Sequence, residues 1–433
     1  MPEHILLPNL RSLGTWAAQD ESTFPYLRLL LNPCLKNLSW PLPVTPSNLS
    51  LLPPLARECP SLTTIYIRNY EFGALPAADL PDLQHPAVST FTRRLSRLEH
   101  VTLEKADRTA FDHLAHIPNL RSLSLFLPRR LQPNTFSAEP PDPLPFLALR
   151  TLQFHILDLE VAVPYFPAFA YSRLELLRVS TNALARNSAI AAIYTAVSSH
   201  IAQDTLRSLA IGTMTTAFPG SYYALPVPAQ HDIPQFLVSG EALRPLFAFS
   251  DLVCLTLRSP VGFDIDDTTA WLMAPAWPRL TFLSIISATG VSHPPSLTLY
   301  GLSAFSRHCP ALCELEILFD ARHVPPFDGT AEIRNFQQCL GCLSVGASLL
   351  EDPPAVATFL SGIFAGPVDI NSTLIGDDGY VLREADADDE MRERSKLWRK
   401  VSELVSIIEG ARVEERHWAH MASRQRYGST LRA

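Results

Sequence analysis

Apolar residues recur along this chain in one short phrase. An aliphatic residue is followed by two variable residues, a second aliphatic, one variable residue and a third position that is apolar in nearly every copy. Twelve copies begin at Leu10, Leu35, Leu62, Leu98, Leu120, Leu149, Leu174, Leu206, Leu252, Leu280, Leu312 and Leu340. The clearest are Leu62-x-x-Ile65-x-Ile67, Leu120-x-x-Leu123-x-Leu125, Leu252-x-x-Leu255-x-Leu257 and Leu312-x-x-Leu315-x-Ile317. One copy arises by chance in any apolar chain, so the weight lies in the recurrence. The steps run from 22 residues (Leu98 to Leu120) to 46 (Leu206 to Leu252). Within a phrase the apolar positions alternate as they do on a strand, so each copy predicts one short strand, apolar on one side and variable on the other. Between phrases, apolar residues at helical spacing predict return helices within 47–59, 109–117, 296–309 and 355–364. Prolines cluster at the ends of these segments, where a helix starts or stops.

A strand-and-return unit of this size, repeated a dozen times, is the signature of a leucine-rich-repeat solenoid. The expected fold is α/β: a ribonuclease-inhibitor-like horseshoe with a concave parallel β-sheet, convex helices and irregular loops. The usual repeat places an Asn or Cys three positions after its last aliphatic. Only Asn182 falls there, so the turns are expected to be irregular and to lack a polar ladder. Residues 1–376 are expected to hold about twelve to thirteen irregular repeats, and 377–433 an acidic linker and an amphipathic capping helix. That helix carries Leu397, Trp398, Val401, Leu404, Val405 and Ile408 on one stripe, and acidic residues from Asp386 to Glu390 suit its positive end. Two long returns, 128–146 and the one within 212–240, read as Pro-rich loops.

Composition narrows the partners. A formal net charge of -8 and a pI near 5.9 argue against a nucleic-acid partner, while leaving room for a local basic patch. The amino-terminal MPEHILLPNL shows no charged leader with an apolar core, and no uncharged apolar run reaches bilayer length. No membrane association is expected. With seven unevenly spaced cysteines, the thiols are expected to be reduced and the compartment cytoplasmic or nuclear.

Catalytic signatures are missing: the chain has no GxSxG, GxxxxGK[ST], HExxH or GxGxxG after a strand. The one CxxC, Cys339 to Cys342, has no second pair, so neither a metal nor a cofactor is expected. The acidic run Asp264-Ile265-Asp266-Asp267 lacks the glycine and final glutamate of a calcium loop and reads as solvated charge. What has positional meaning is the variable side of the strands. There the phrases place Tyr66, Arg68, His100, Glu104, Phe126 and His155, then Arg178, Arg258, Phe282, Glu314 and Glu316. Aromatic and arginine side chains on a rigid sheet are common anchors of protein interfaces, so this strip is the candidate protein-binding site.

The repeated PNLRSL (8–13 and 118–123), the entries Arg57-Glu58-Cys59-Pro60 and Arg307-His308-Cys309-Pro310-Ala311, and the closing Trp398-x-x-Val401-x-x-Leu404-Val405 form a recognisable set. Together they resemble the repeat region of fungal F-box/leucine-rich-repeat proteins, especially those of mushroom-forming fungi. The resemblance implies the substrate-recognition part of an SCF-type ubiquitin ligase, in which an amino-terminal F-box docks on a Skp-type adaptor and the repeats hold the target. Nine residues precede Leu10 and none matches an F-box, so the adaptor is expected as a partner only if an F-box is supplied elsewhere. No functional residue carries over. Two contrasting classes are a repeat-only regulator of a small GTPase or other signalling protein, and a motif-less enzyme whose site is assembled from loops such as 212–240.

Overall fold

The computed structural model describes residues 6–14, 28–41, 50, 52–68, 86–104, 107–127, 144–156, 158–181, 183–213, 228–287, 294–326, 337–346, 348–372 and 389–430. The loop segments 128–143 and 214–227, the acidic stretch to 388 and Asn182 lie outside them. Among the described residues thirteen strands follow the repeat, the last of them keeping only part of the pattern. They are β1 (Ser12–Gly14), β2 (Asn37–Pro41), β3 (Thr64–Arg68), β4 (His100–Glu104), β5 (Ser122–Leu127), β6 (Thr151–Ile156), β7 (Leu176–Thr181), β8 (Ser208–Thr213), β9 (Cys254–Ser259), β10 (Phe282–Ser287), β11 (Glu314–Ile317), β12 (Cys342–Ser344) and β13 (Asp369–Asn371). Each of the twelve sequence phrases lies on one of β1 to β12. The fold is an α/β leucine-rich-repeat ladder. The chain divides into two compact units, one of residues 1–238, 242–249 and 258–260 and one of 239–241, 250–257 and 261–433.

In the first unit β1 to β8 pair in chain order, all parallel, and the second aliphatic of every phrase stands beside the next: Leu13, Leu38, Ile65, Val101, Leu123, Leu152, Leu177, Leu209. A slip of one residue would turn each of them toward solvent, so burial of this row holds the register. Each strand is entered in the same way. Two successive N–H groups donate to one carbonyl of the previous rung: Thr63 and Thr64 to Lys36, Arg121 and Ser122 to Glu99, Arg150 and Thr151 to Arg121, Arg207 and Ser208 to Glu175.

The turn before a phrase explains the recurring Cys-Pro and Ile-Pro of the sequence. The residue three places before the first leucine is buried, and its carbonyl accepts that leucine's N–H: Cys59 from Leu62 at 3.4 Å, Ile117 from Leu120 at 3.3 Å. Asn32 fills this position at the start of β2. Its amide donates to the carbonyls of Leu7, Leu10 and Leu30 while its oxygen accepts from Cys34 N, so a polar residue replaces an apolar one at no loss of hydrogen bonding.

Among the described residues the returns in this unit include α1 (Leu52–Glu58), α2 (Pro86–Thr92), α3 (Arg108–Ala115), α4 (Asn187–His200) and a 3-10 segment, Leu159–Phe169. Of these, α1 and α3 were legible from helical spacing. The 3-10 segment contains Pro164 and Pro167, each removing a donor that an α-helix needs. It still buries Tyr165, Phe166 and Phe169, and the rings of Tyr165 and Phe169 meet Phe111 of α3 edge-on at 5.4 and 6.1 Å.

In the second unit β10 to β13 repeat the pattern with Leu283, Leu315, Leu343 and Ile370 in register. The helices are α5 (Asp267–Ala276), α6 (Leu299–His308), α7 (Pro353–Ile363) and α8 (Asp389–Thr430). The run Asp264–Asp267 corrects the reading of solvated charge. Asp266 caps α5 by accepting from Thr269 N at 2.8 Å. The Asp267 carboxylate accepts from Thr298 N, the Thr298 hydroxyl and Gly301 N, tying α5 to the start of α6, and Asp264 accepts from the Ser296 hydroxyl.

In α8, Trp398, Val401 and Val405 are fully buried, with Leu397, Leu404 and Ile408 half-buried beside them. The Trp398 indole donates to Ser348 O at 2.8 Å and its ring meets Phe319 edge-on at 5.7 Å. Further along, the Arg412 guanidinium donates to Ser361 O on α7. Beyond it Val413, Glu414, Glu415, His417 and Trp418 are exposed.

Two stability outcomes follow from these contacts. Gly212 on β8 has φ +140°, and a Cβ there would lie 1.8 Å from the Arg258 carbonyl oxygen of β9. Gly212→Ala should therefore lose at least about 2 kcal/mol in urea unfolding, from strain plus overpacking. Asp266→Ala should lose about 1 kcal/mol at pH 7. The hydroxyl and N–H of Thr269 hold the Asp266 carboxyl below its ordinary 3.8, so its contribution is complete above that value and is lost as pH falls through the lower folded one. Paired urea melts should show the gap between wild type and variant closing below pH 4.

Candidate functional site

The outward side of the first unit is built from the residues between the buried aliphatics. Tyr66 stands half-buried on β3 between Ser39 and Thr102, and Arg178 is exposed on β7 between Gln153 and Ala210. His100 is exposed on β4, paired with Thr64 and Ser122. Arg68 and Glu104 occupy the last positions of β3 and β4; their side chains lie outside the described residues.

A cluster of side-chain contacts lies where the strands end. Here Glu104, Phe126, His155, Ser180 and Gly212 form one row across β4 to β8. Phe126 and His155 stack with ring centroids 4.4 Å apart and planes 15° from parallel. His155 Nδ1 is 2.8 Å from the Ser180 hydroxyl, which also reaches Phe154 O at 3.2 Å. The strand pairing thus brings together two predicted residues and adds Ser180, whose hydroxyl orients the ring beside it. Arg258 is half-buried on β9, with its backbone against Gly212. Past the row, Asp158, Glu160, Thr181 and Arg186 help line a cavity of about 270 Å³ at the entry to α4.

The second unit presents a different chemistry. Phe282, Glu314, Cys342 and Asp369 form one row over β10 to β13, and Ser284, Glu316, Ser344 and Asn371 the next. The Ser284 hydroxyl donates to Glu316 at 2.6 Å. Glu314 is exposed, and Phe282 and Glu316 are half-buried. Among the described residues these two rows hold three carboxylates and no lysine or arginine. Burial pushes the Cys342 thiol up, and Asp369, Glu314 and Glu316 add to the effect; Cys254 is raised by burial and by Glu314. Such thiols are poor nucleophiles. Asp369 escaped sequence reasoning because its strand lacks the leading leucine: Pro367 stands in that place and only Ile370 keeps the pattern.

No protein-family model matches the chain, and no curated protein matches it. Solved structures do. An internalin (InlF) from Listeria monocytogenes aligns over 84% of this chain and 87% of its own, at 14% identity and TM-score 0.37. The leucine-rich-repeat-containing protein LegL7 from Legionella pneumophila aligns over 90% and 97%, at 13% identity and TM-score 0.30. A chain of the Rad7 and Elc1 complex in yeast aligns over 84% and 83%, at 13% identity and TM-score 0.32.

The electrostatics predict an order of thiol labelling. With iodoacetamide at pH 8, read by mass spectrometry, exposed Cys34, Cys313 and Cys339 should react first and half-buried Cys254 and Cys342 later. Cys59, raised to about 11, and Cys309, raised to about 12, should react only on unfolding, since about one thiol in a thousand or fewer is ionised at that pH. Glu314→Gln should speed Cys254 and Cys342 together by removing a shared negative neighbour.

Proposed function

We propose that the protein is a non-enzymatic protein-interaction scaffold that grips a protein target along the outward side of its strands. The observation that carries this reading is the row built on the Phe126–His155 stack, with Tyr66 half-buried on β3 and Arg178 exposed on β7 of the same unit. Aromatic side chains held in a stack on a hydrogen-bonded ladder lose little freedom when a partner covers them, and an exposed arginine adds a charged anchor. On the second unit the outward residues are Phe282, Glu314 and Glu316, the acidic ones suited to basic groups of a target.

The setting we favour is target recognition for an SCF-type ubiquitin ligase, on the resemblance of the PNLRSL and Arg-x-Cys-Pro repeat entries to fungal F-box repeat proteins. In this reading the outward face is the concave face of the array, and a Skp-type adaptor joins only through an F-box supplied elsewhere. The working compartment is the cytoplasm or nucleus. Among the described residues no helix is long and apolar enough to cross a membrane.

Replacing Tyr66, Phe126 and Arg178 together with alanine should weaken capture of a specific target by at least about 30-fold, the equivalent of 2 kcal/mol at an interface anchor. The check is quantitative mass spectrometry of proteins retained by wild type and variant at matched thermal stability. An identical set retained by both would remove the outward face from the function.

A further inference from the structure

A second surface, separate from the outward face, lies at the edge where the chain enters each strand of the first unit. The residue after the leading leucine of each phrase sits there: Arg11, Lys36, Thr63, Glu99, Arg121, Arg150, Glu175 and Arg207 on successive rungs. The shared carbonyl of the strand entry belongs to this residue, as Arg150 N to Arg121 O at 2.9 Å and Glu175 N to Arg150 O at 2.8 Å show. Neighbouring edge residues are therefore one rung apart, about 4.8 Å. Arg97 and Arg173, exposed in the turns just before, join the row; the Arg173 carbonyl accepts from Arg150 Nη1 at 3.4 Å.

The fold itself neutralises little of this charge. Arg150 pairs with Glu175 at 3.6 Å. Arg11, Lys36, Arg97, Arg121 and Arg173 are exposed and form no ion pair among the described residues. Like charges on adjacent rungs repel one another in the free protein, and an anionic partner relieves that repulsion.

We infer that this strand-entry edge is a docking strip for an acidic, extended segment of a partner protein. Guanidinium forks match carboxylates bidentately, and arginine clusters are a recurring way to read acidic motifs. Eight rungs span roughly 34 Å, room for about ten residues of extended chain. Two features favour a polypeptide over a nucleic acid. Glu99 and Glu175 interrupt the row, and Glu175 is exposed; an unbroken phosphate backbone would meet both, whereas a peptide can place neutral residues opposite them. No edge position is aromatic, so bases would find no stacking platform.

The test is fluorescence anisotropy on the full chain with a labelled dodecapeptide of alternating Glu and Ser in 50 mM salt. Binding should weaken at least tenfold in the triple variant Arg97→Glu, Arg121→Glu, Arg173→Glu, and fade for wild type in 500 mM salt as screening shortens. The charge-matched control Arg57→Glu, Arg186→Glu, Arg244→Glu, placed elsewhere on the unit, should stay within threefold of wild type. Thermal melts confirm that both variants fold. Equal losses in the two triples would show a response to net charge alone and overturn the inference. So would tighter binding of an oligothymidylate of equal charge, or wild-type self-association in sedimentation that the first triple abolishes, which would make a second copy the occupant.

Discussion

Within each unit the strands, β1 to β8 in the first and β10 to β13 in the second, hydrogen-bond to their neighbours in parallel and in fixed register, and that pairing decides where the other strand side chains go. Because side chains alternate across a strand, a register that stacks Leu123 beside Leu152 also stacks Phe126 beside His155 and Arg121 beside Arg150. The buried row supplies the free energy, and the outward row and entry edge are carried along by geometry. The doubled hydrogen bond at each entry reinforces this by tying the first two N–H groups of a rung to a single carbonyl of the previous one.

The returns between strands obey a looser constraint. Each has only to cover the aliphatic row and deliver the chain to the next entry, so an α-helix, a 3-10 segment or a turn will serve. Pro164 and Pro167 exclude an α-helix from 159–169, yet Tyr165, Phe166 and Phe169 fill the same space. Polar groups are accepted in this layer where the backbone satisfies them, as Asn32 does before β2. Gln337 does the same before β12, donating to Leu312 O and accepting from Leu340 N. Carboxylates are recruited as ties, so that Asp267 fastens one helix to the next instead of pointing into water.

Charge is distributed unevenly over this frame. The whole chain carries -8, a value that discourages anionic partners, yet the entry edge of the first unit gathers exposed guanidinium groups. The outward rows of β10 to β13 gather carboxylates instead. A repeat architecture makes such local concentration simple, because one position per phrase, repeated over successive rungs, becomes a line about 4.8 Å per step. Net charge averages over these lines and conceals them.

The aliphatic phrase by itself determined the strands, their inward and outward sides and the repeat class, because a period of two with buried alternation leaves one way to fold each phrase. It also marked the buried stripe of the last helix through Trp398, Val401 and Val405. What it left undetermined depends on neighbours distant in the sequence. The strand β13 carries only Ile370 of the pattern and forms because β12 offers an open edge beside it. Phe126, His155 and Ser180 are separated by 29 and 25 residues and meet only once register is set, and Gly212 is required by the approach of the Arg258 backbone. Spacing along one strand predicts which way a side chain points, but which side chains touch is decided by the length of each return and by how the strands align.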